Sequence, residues 1–308
     1  MTLTTKINDP QRSEAAVAAS HKLVLQGEEE EVSKPNESGS NGIRLVCAGL
    51  GRTGTLSLTE ALVTLGYKPY HYIDFGHARQ WSDLAEGNGK SSPDTIIDTI
   101  VGDGYDAVLE NPTCEIYTDI LKRFPNAKVI LTVRDSPEKF EHSWKTLMDT
   151  MAVTEKPFRW SFPSFFQWIP LFQRLKTIRK FMGTTHLELE PGALAHGWRD
   201  KPEGWLGDQY TKHNEHVITT VSDPENLLVF NAKEGWEPLC AFLGCEVPAA
   251  PNGHHQDFPH STVNTKESLT NLKKSFERAV YGWIPVVVLA AMAAGASLVV
   301  GNKRWQRN

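Results

Sequence analysis

The sequence predicts an α/β fold: a central parallel sheet with helices on both faces, followed by a hydrophobic C-terminal helix. Three observations predict it. Short apolar runs of strand type alternate with helical patterns between Leu45 and Gly244, the signature of β-α-β units and a parallel sheet. The first unit turns on a loop rich in glycine and hydroxyl groups, Gly49-Leu50-Gly51-Arg52-Thr53-Gly54-Thr55-Leu56-Ser57. Near the end of the chain, Ile284 to Gly301 runs for 18 residues without a charge.

The elements follow in order. Leu45 to Ala48 is a short buried strand, and after the loop Leu58, Leu62 and Leu65 fall at helical spacing until Gly66 stops the helix. Lys68 to Ile73 is a second strand. Residues 77–86 and 93–101 are helical, the latter started by Pro93-Asp94. Asp106 to Glu110 is a third strand, closed by Asn111-Pro112, and Glu115 to Phe124 presents Ile116, Ile120 and Phe124 on one helical face. Lys128 to Val133 is the clearest strand. Ser136 caps and Pro137 opens the next helix, whose apolar stripe is Phe140, Trp144, Leu147 and Met151. Ser143 lies off that stripe, free to face a ligand. Residues 208–221 are helical, Leu227 to Asn231 is a further strand, and Trp236 to Leu243 is a helix capped by Gly244.

Composition bounds the function. The chain has 308 residues, 40% apolar and 22% charged, with a formal net charge of −5. That balance fits a globular protein and argues against general nucleic-acid binding, so an anionic ligand requires a local basic site. Cys47 and Cys114 sit in apolar contexts, and Cys240 and Cys245 have no second pair to make a zinc site. His254, His255 and His260 lack metal-ligand spacing, and no metal is expected. Residues 1–41 are polar and expected to be disordered, with a short helix near 14–24. Residues 42–263 form the folded domain, 264–282 a linker helix, 283–301 a membrane-spanning helix and 302–308 a basic tail. At 1.5 Å per residue the uncharged run spans roughly 27 Å, close to the hydrocarbon core of a bilayer. Tyr281, Trp283 and Trp305 suit its interfaces. With no N-terminal apolar run to act as a signal peptide, the domain is expected on the cytosolic side, anchored by its tail.

The strand, glycine turn and helix start at Gly49 to Ser57 make an anion site, because free N–H groups and the helix dipole both favour a phosphate. Two families of site compete for it. Gly49, Gly51 and Gly54 fit G-x-G-x-x-G, and Asp74 stands 20 residues beyond, where a dinucleotide ribose-binding acid would sit. Arg52, Thr53, Thr55 and Ser57 instead add four anion-binding side chains, without the Lys of a nucleoside-triphosphate loop. The aromatic stretch Phe158, Trp160, Phe162, Phe165, Phe166, Trp168 and Phe172 is either a satellite hydrophobic cluster or a lid over an apolar acceptor pocket.

Four blocks together resemble one family. Gly49 to Ser57 resembles the 5′-phosphosulfate loop of sulfotransferases that use 3′-phosphoadenosine-5′-phosphosulfate (PAPS), in the branch with an Arg-Thr-Gly-Thr loop. Val129 to Arg134 with Ser143-Trp144 resembles the family's 3′-phosphate motif. Leu227 to Asn231 with Trp236 to Gly244, and Phe258-Pro259-His260, resemble its late segments. The resemblance covers about residues 43–263 and implies a P-loop three-layer fold. It departs from the family at Arg52, where many members have Lys, and at Glu110-Asn111-Pro112, where the family's catalytic His is expected. It implies that Gly49, Gly51, Arg52, Thr53, Gly54, Thr55 and Ser57 hold the 5′ end of PAPS, with Arg52 at the bridging oxygen. Arg134 and Ser143 would hold the 3′-phosphate, and Glu110 or His71 would be the base, with Asp74 next in line. The acceptor would be a hydroxyl or amine on an apolar or lipid-like molecule at the membrane. The rival readings are an NAD(P)-binding oxidoreductase or epimerase, whose Tyr-x-x-x-Lys is missing here, and a non-catalytic nucleotide-binding membrane protein.

Overall fold

The computed structural model describes residues 42–72, 74–155, 170–194, 196–221, 223–249, 256–261 and 288–289. Five short strands form one parallel sheet: β1 (Leu45–Cys47), β2 (Pro69–His71), β3 (Ala107–Leu109), β4 (Lys128–Thr132) and β5 (Leu227–Phe230). Their spatial order is β2-β3-β1-β4-β5. The helices are α1 (Thr55–Thr64), α2 (Ala78–Glu86), α3 (Pro93–Gly102), α4 (Tyr117–Arg123), α5 (Pro137–Glu155), α6 (Pro170–Phe181), α7 (Trp205–Thr220) and α8 (Trp236–Leu243).

Successive strand residues point to opposite faces, and the core divides accordingly. Val46, Val108, Val129 and Leu131 pack in one cluster with Trp81 of α2, Ile96, Ile97 and Ile100 of α3, Ile120 of α4 and Phe140 of α5. Leu45, Cys47, Leu109 and Ile130 pack on the other face with Leu58 and Leu62 of α1 and Leu239 and Leu243 of α8. The result is the three-layer α/β arrangement the alternation predicts. Each fully buried Leu, Ile or Phe contributes roughly 1.5–3 kcal/mol. Cys47 and Cys114 act as small apolar fillers, and burial pushes the Cys47 thiol up to about 11.

Two local results differ from the periodicity. On α5 the buried row is Phe140, Trp144 and Met148, at i, i+4, i+8, with Leu147 only partly buried and the Met151 side chain outside the described residues. That row follows the i+4 ridge along which α5 packs on α7, where Phe140 stacks on Tyr210 with ring centroids 4.3 Å apart. Helix α7 begins at Trp205, just after Gly204 at φ 84°, three residues earlier than the sequence pattern indicates.

The expected N-terminal segment, most of the aromatic stretch and almost all of the expected C-terminal helix lie outside the described residues. Among the described residues no helix is long and apolar enough to cross a membrane.

Candidate active site at the strand ends

Everything singled out in the glycine loop converges at the C-terminal ends of the strands, where open parallel sheets bind ligands. Gly49 leaves β1 against Thr132 of β4: a Cβ there would sit 2.0 Å from Thr132 Oγ1, and 2.8 Å from the Thr132 backbone N and O. Only glycine fits. Thr53 turns inward and is 2% exposed. Its hydroxyl donates to the Leu50 carbonyl at 2.6 Å and lies 2.5 Å from Thr132 Oγ1, which donates to it in turn. The Thr53 side chain therefore ties the loop to β4, while the loop's backbone remains on the ligand side. Gly54, at φ 98°, precedes α1, and no side chain caps that helix. The N–H groups of its first turn are thus left for a ligand.

Three non-glycine residues hold positive φ in the turns that follow β1, β2 and β3: Arg52 (76°), Tyr72 (64°) and Glu110 (62°). Each such conformation costs about 1–3 kcal/mol and persists where the surroundings enforce it, most often at functional sites. The parallel register that pairs His71 with Leu109 brings His71 beside Glu110. His71 Nε2 lies 2.7 Å from Glu110 Oε2, at ion-pair distance, and Thr55 donates its hydroxyl to the same oxygen at 2.7 Å. Glu110 Oε1 lies under the loop, 2.7 Å from where a Gly51 Cβ would be. Burial pushes the Glu110 carboxyl up, but His71, Thr55 and Arg52 outweigh burial and hold it below the usual range. Ser57 is buried, and its oxygen accepts the Ser261 N–H at 3.1 Å, fixing the segment after Phe258 to α1.

Arg52 links this buried floor to an open cleft. Its Nε donates to Ser143 Oγ at 3.1 Å. Burial lowers the Arg52 pKa; Glu110 supports its charge and Arg134 opposes it. The cleft, about 440 Å³, is lined by Arg52, Arg134, Glu138, Lys139, His142, Ser143 and Thr146. Arg134 follows β4, with its N–H bonded to the Tyr210 hydroxyl at 2.9 Å. Its neighbour Asp135 accepts from Lys139 at 2.7 Å, Lys233 at 2.6 Å and Asn231 at 3.0 Å. This ties the end of β4 to the end of β5, beside the glycine loop.

A profile of the family described as "Sulfotransferase domain" matches residues 44–268. The chain belongs to the sulfotransferase family. It is also similar to the "Ava biosynthesis cluster protein M" of Aspergillus versicolor, with 29% identity over 276 residues, covering 84% of this chain and 95% of that protein.

Within the sulfotransferase chain, strand order speaks against the dinucleotide reading of the same glycines. In the dinucleotide-binding order β2 neighbours β1; here β3 lies between them. Asp74, the would-be ribose acid, instead accepts the Tyr105 hydroxyl at 3.0 Å and the Gly76 N–H at 2.8 Å. Among the described residues no group of His, Cys, Asp or Glu is placed to hold a metal; His254 and His255 lie outside them. The sequence reading missed Thr132 at the end of β4, Asp135 and Lys233 in the turns that follow β4 and β5, and Lys139 and His142 on α5. It also missed His186 and His213, which bond the Cys114 and Ala48 carbonyls beneath the site. Burial lowers His186 to about 3 and His213 to about 4, so both are neutral packing elements.

Proposed function

We propose that the protein transfers a sulfuryl group from PAPS to a hydroxyl or amine acceptor. The observation that carries this reading is the Arg52–Ser143 bond, which joins an uncapped helix start to a cationic cleft, an arrangement suited to two anionic groups side by side. A nucleotide phosphorylated at both ends of its ribose needs that arrangement. The residues present fit it: the turn Gly49 to Gly54 leaves room for backbone approach, Arg52 supplies a fixed guanidinium, and Arg134 and Ser143 supply donors at the second site.

PAPS supplies an activated sulfuryl group when bound. The chain's residues do the rest by position and charge. The loop N–H groups and the start of α1 hold the 5′-phosphate. Arg52 stabilises charge on the oxygen that leaves sulfur. Arg134 and Ser143 read the 3′-phosphate. The Glu110–His71 pair, in contact with Thr55, receives the acceptor's proton. The name of the Aspergillus relative, a biosynthesis cluster protein, supports a small-molecule acceptor.

The domain works at a membrane surface in this reading, held by residues 283–301. Val288 and Leu289, the two described residues of that run, are helical and 49% and 65% exposed. Apolar residues so exposed are suited to lipid. Full-length protein should resist carbonate extraction, and a chain ending at Lys274 should become soluble; a wholly soluble full-length protein contradicts the anchor and leaves the transferase reading intact.

The activity itself is tested by Arg52→Ala. Sulfuryl transfer from PAPS should fall by a factor on the order of 10² to 10³, the loss expected for one transition-state donor. Unchanged turnover contradicts the assignment.

A further inference from the structure

The side of α5 that looks into the cleft carries Lys139, His142, Ser143 and Thr146. Their i, i+3, i+4, i+7 spacing makes one helical stripe, opposite the buried Phe140, Trp144 and Met148. A polar stripe of this kind is ordinarily a solvated face. The charges around it set this one apart. The Glu110 carboxylate supports the charge of Arg52, but the Arg134 guanidinium has no ion pair among the described residues. One carboxylate oxygen, Asp135 Oδ2, carries two ammonium groups, Lys139 at 2.7 Å and Lys233 at 2.6 Å. Lys139, Lys233 and Asn231 hold the Asp135 carboxyl far below the usual range. Glu138, the only acid among the described residues that line the cleft, is bonded to the Ser136 hydroxyl and to its own N–H. Among the described residues, a full cationic charge is left without a counter-ion at the cleft mouth.

We propose that Lys139 is a movable clamp for the nucleotide's terminal 3′-phosphate, and that Asp135 is the internal anion that parks it until the phosphate arrives. This rests on the PAPS reading above. Lysine suits the role, being a compact charge on a flexible four-carbon stem, whereas the neighbouring Arg134 is a rigid fork. A phosphate monoester carries about −1.5 to −2 charge against −1 for a carboxylate, so it outcompetes Asp135 for one of the two lysines. Lys139 is the one that moves, because it lines the cleft. Lys233, which does not line it, stays on Asp135 and keeps the ends of β4 and β5 together. The recognised group is therefore a monoester phosphate at the ribose 3′ position. The site discriminates against nucleotides that lack it by more than the Arg134–Ser143 pair alone provides.

The two partners should respond with opposite signs. Isothermal titration of the full chain at fixed ionic strength, with adenosine 3′,5′-bisphosphate and adenosine 5′-phosphate as probes, reads this directly. Lys139→Gln should weaken the bisphosphate about tenfold, the size of a lost charge-assisted bond, and leave the 5′-phosphate within about twofold. Asp135→Asn, which frees Lys139 in advance, should tighten the bisphosphate by roughly threefold, because the parking equilibrium no longer taxes binding. If both variants weaken both nucleotides alike, the Lys139–Asp135 pair is a structural tie and the proposal is wrong. If the wild type prefers the bisphosphate and Lys139→Gln keeps that preference in full, the clamp alone is overturned. If the wild type shows no preference for the 3′-phosphate, the PAPS reading falls and takes the clamp with it.

Discussion

The floor of the site and its open wall are built on opposite plans. On the floor, every polar side chain of the loop has a partner inside the protein: Thr53 on Leu50 and Thr132, Thr55 on Glu110, Ser57 on Ser261. On the wall, Arg134 is unpaired among the described residues, two lysines share one carboxylate, and His142 and Thr146 face the cleft. The floor holds its strained residues Arg52 and Glu110 in place before any ligand comes. The wall keeps charge uncommitted. In the proposed reading, the difference separates what must be rigid, the geometry at the reacting centre, from what must be exchangeable, the grip on a nucleotide that has to leave.

The comparison breaks most severely at Gly49. A Cβ at 2.0 Å from Thr132 Oγ1, with backbone on either side, has nowhere to go. Gly49→Ala should lose about 3 kcal/mol or more of stability, the upper end for overpacking a tight site. Urea unfolding checks it, and a variant as stable as the wild type would mean that the loop is not clamped against β4.

Next comes Glu115, beneath the floor. It is buried and accepts the Gly183 and Thr185 N–H groups at 2.5 and 3.1 Å. Burial raises its carboxyl from 4.5 to about 7, against the pull of those two bonds. A raised folded pKa contributes stability that is fully present below the unfolded value and lost as pH rises through the folded one. Between pH 4.5 and about 7 the contribution lost is therefore roughly 3–4 kcal/mol, at about 1.4 kcal/mol per unit. Urea midpoints for the wild type and Glu115→Gln should converge or cross over that window and run parallel above it. Profiles parallel throughout would contradict the assignment.

Thr53→Val should cost about 1–3 kcal/mol, because the Leu50 carbonyl and the Thr132 hydroxyl are left buried without their partner. Its effect on turnover should come through loop order, seen as faster hydrogen exchange at Gly51 to Thr55. At the far end of the scale, Asp98→Asn, which removes the exposed Arg123 pair at 3.0 Å, should leave the urea midpoint unchanged within error. A clear loss there would show that surface pairs matter as much as the floor.

What the sequence disclosed and what it hid follow from range. The strands were legible because Leu45 to Ala48 and Lys128 to Val133 are apolar runs bounded by turn residues, which is local information. The order β2-β3-β1-β4-β5 was not, since parallel neighbours are chosen by packing between segments far apart in the chain, as between Leu45 and Ala107. The same non-local pairing hid the contact between His71 and Glu110. Both were visible as candidates at strand ends, yet only the register of β2 on β3 makes them one unit. Thr53 read as a ligand donor because nothing in an Arg-Thr-Gly string shows that Arg52 takes φ 76° and turns the next side chain inward. Ser143 was legible, lying off an apolar helical stripe. Lys139 and His142 share its face but carry side chains that are usually solvated, so pattern alone gave them no role.

The central claim is that the floor and the wall together bind one nucleotide through two separate phosphates. The most direct measurement is isothermal titration of the wild-type chain with adenosine 3′,5′-bisphosphate, adenosine 5′-phosphate and NAD under the same conditions. The account predicts that the bisphosphate binds at least about tenfold more tightly than the 5′-phosphate, the equivalent of one charge-assisted contact. It also predicts that NAD, which has a diphosphate but no 3′-phosphate, binds weakly or not at all. Equal affinity for the two adenosine phosphates, or tighter binding of NAD, would contradict it.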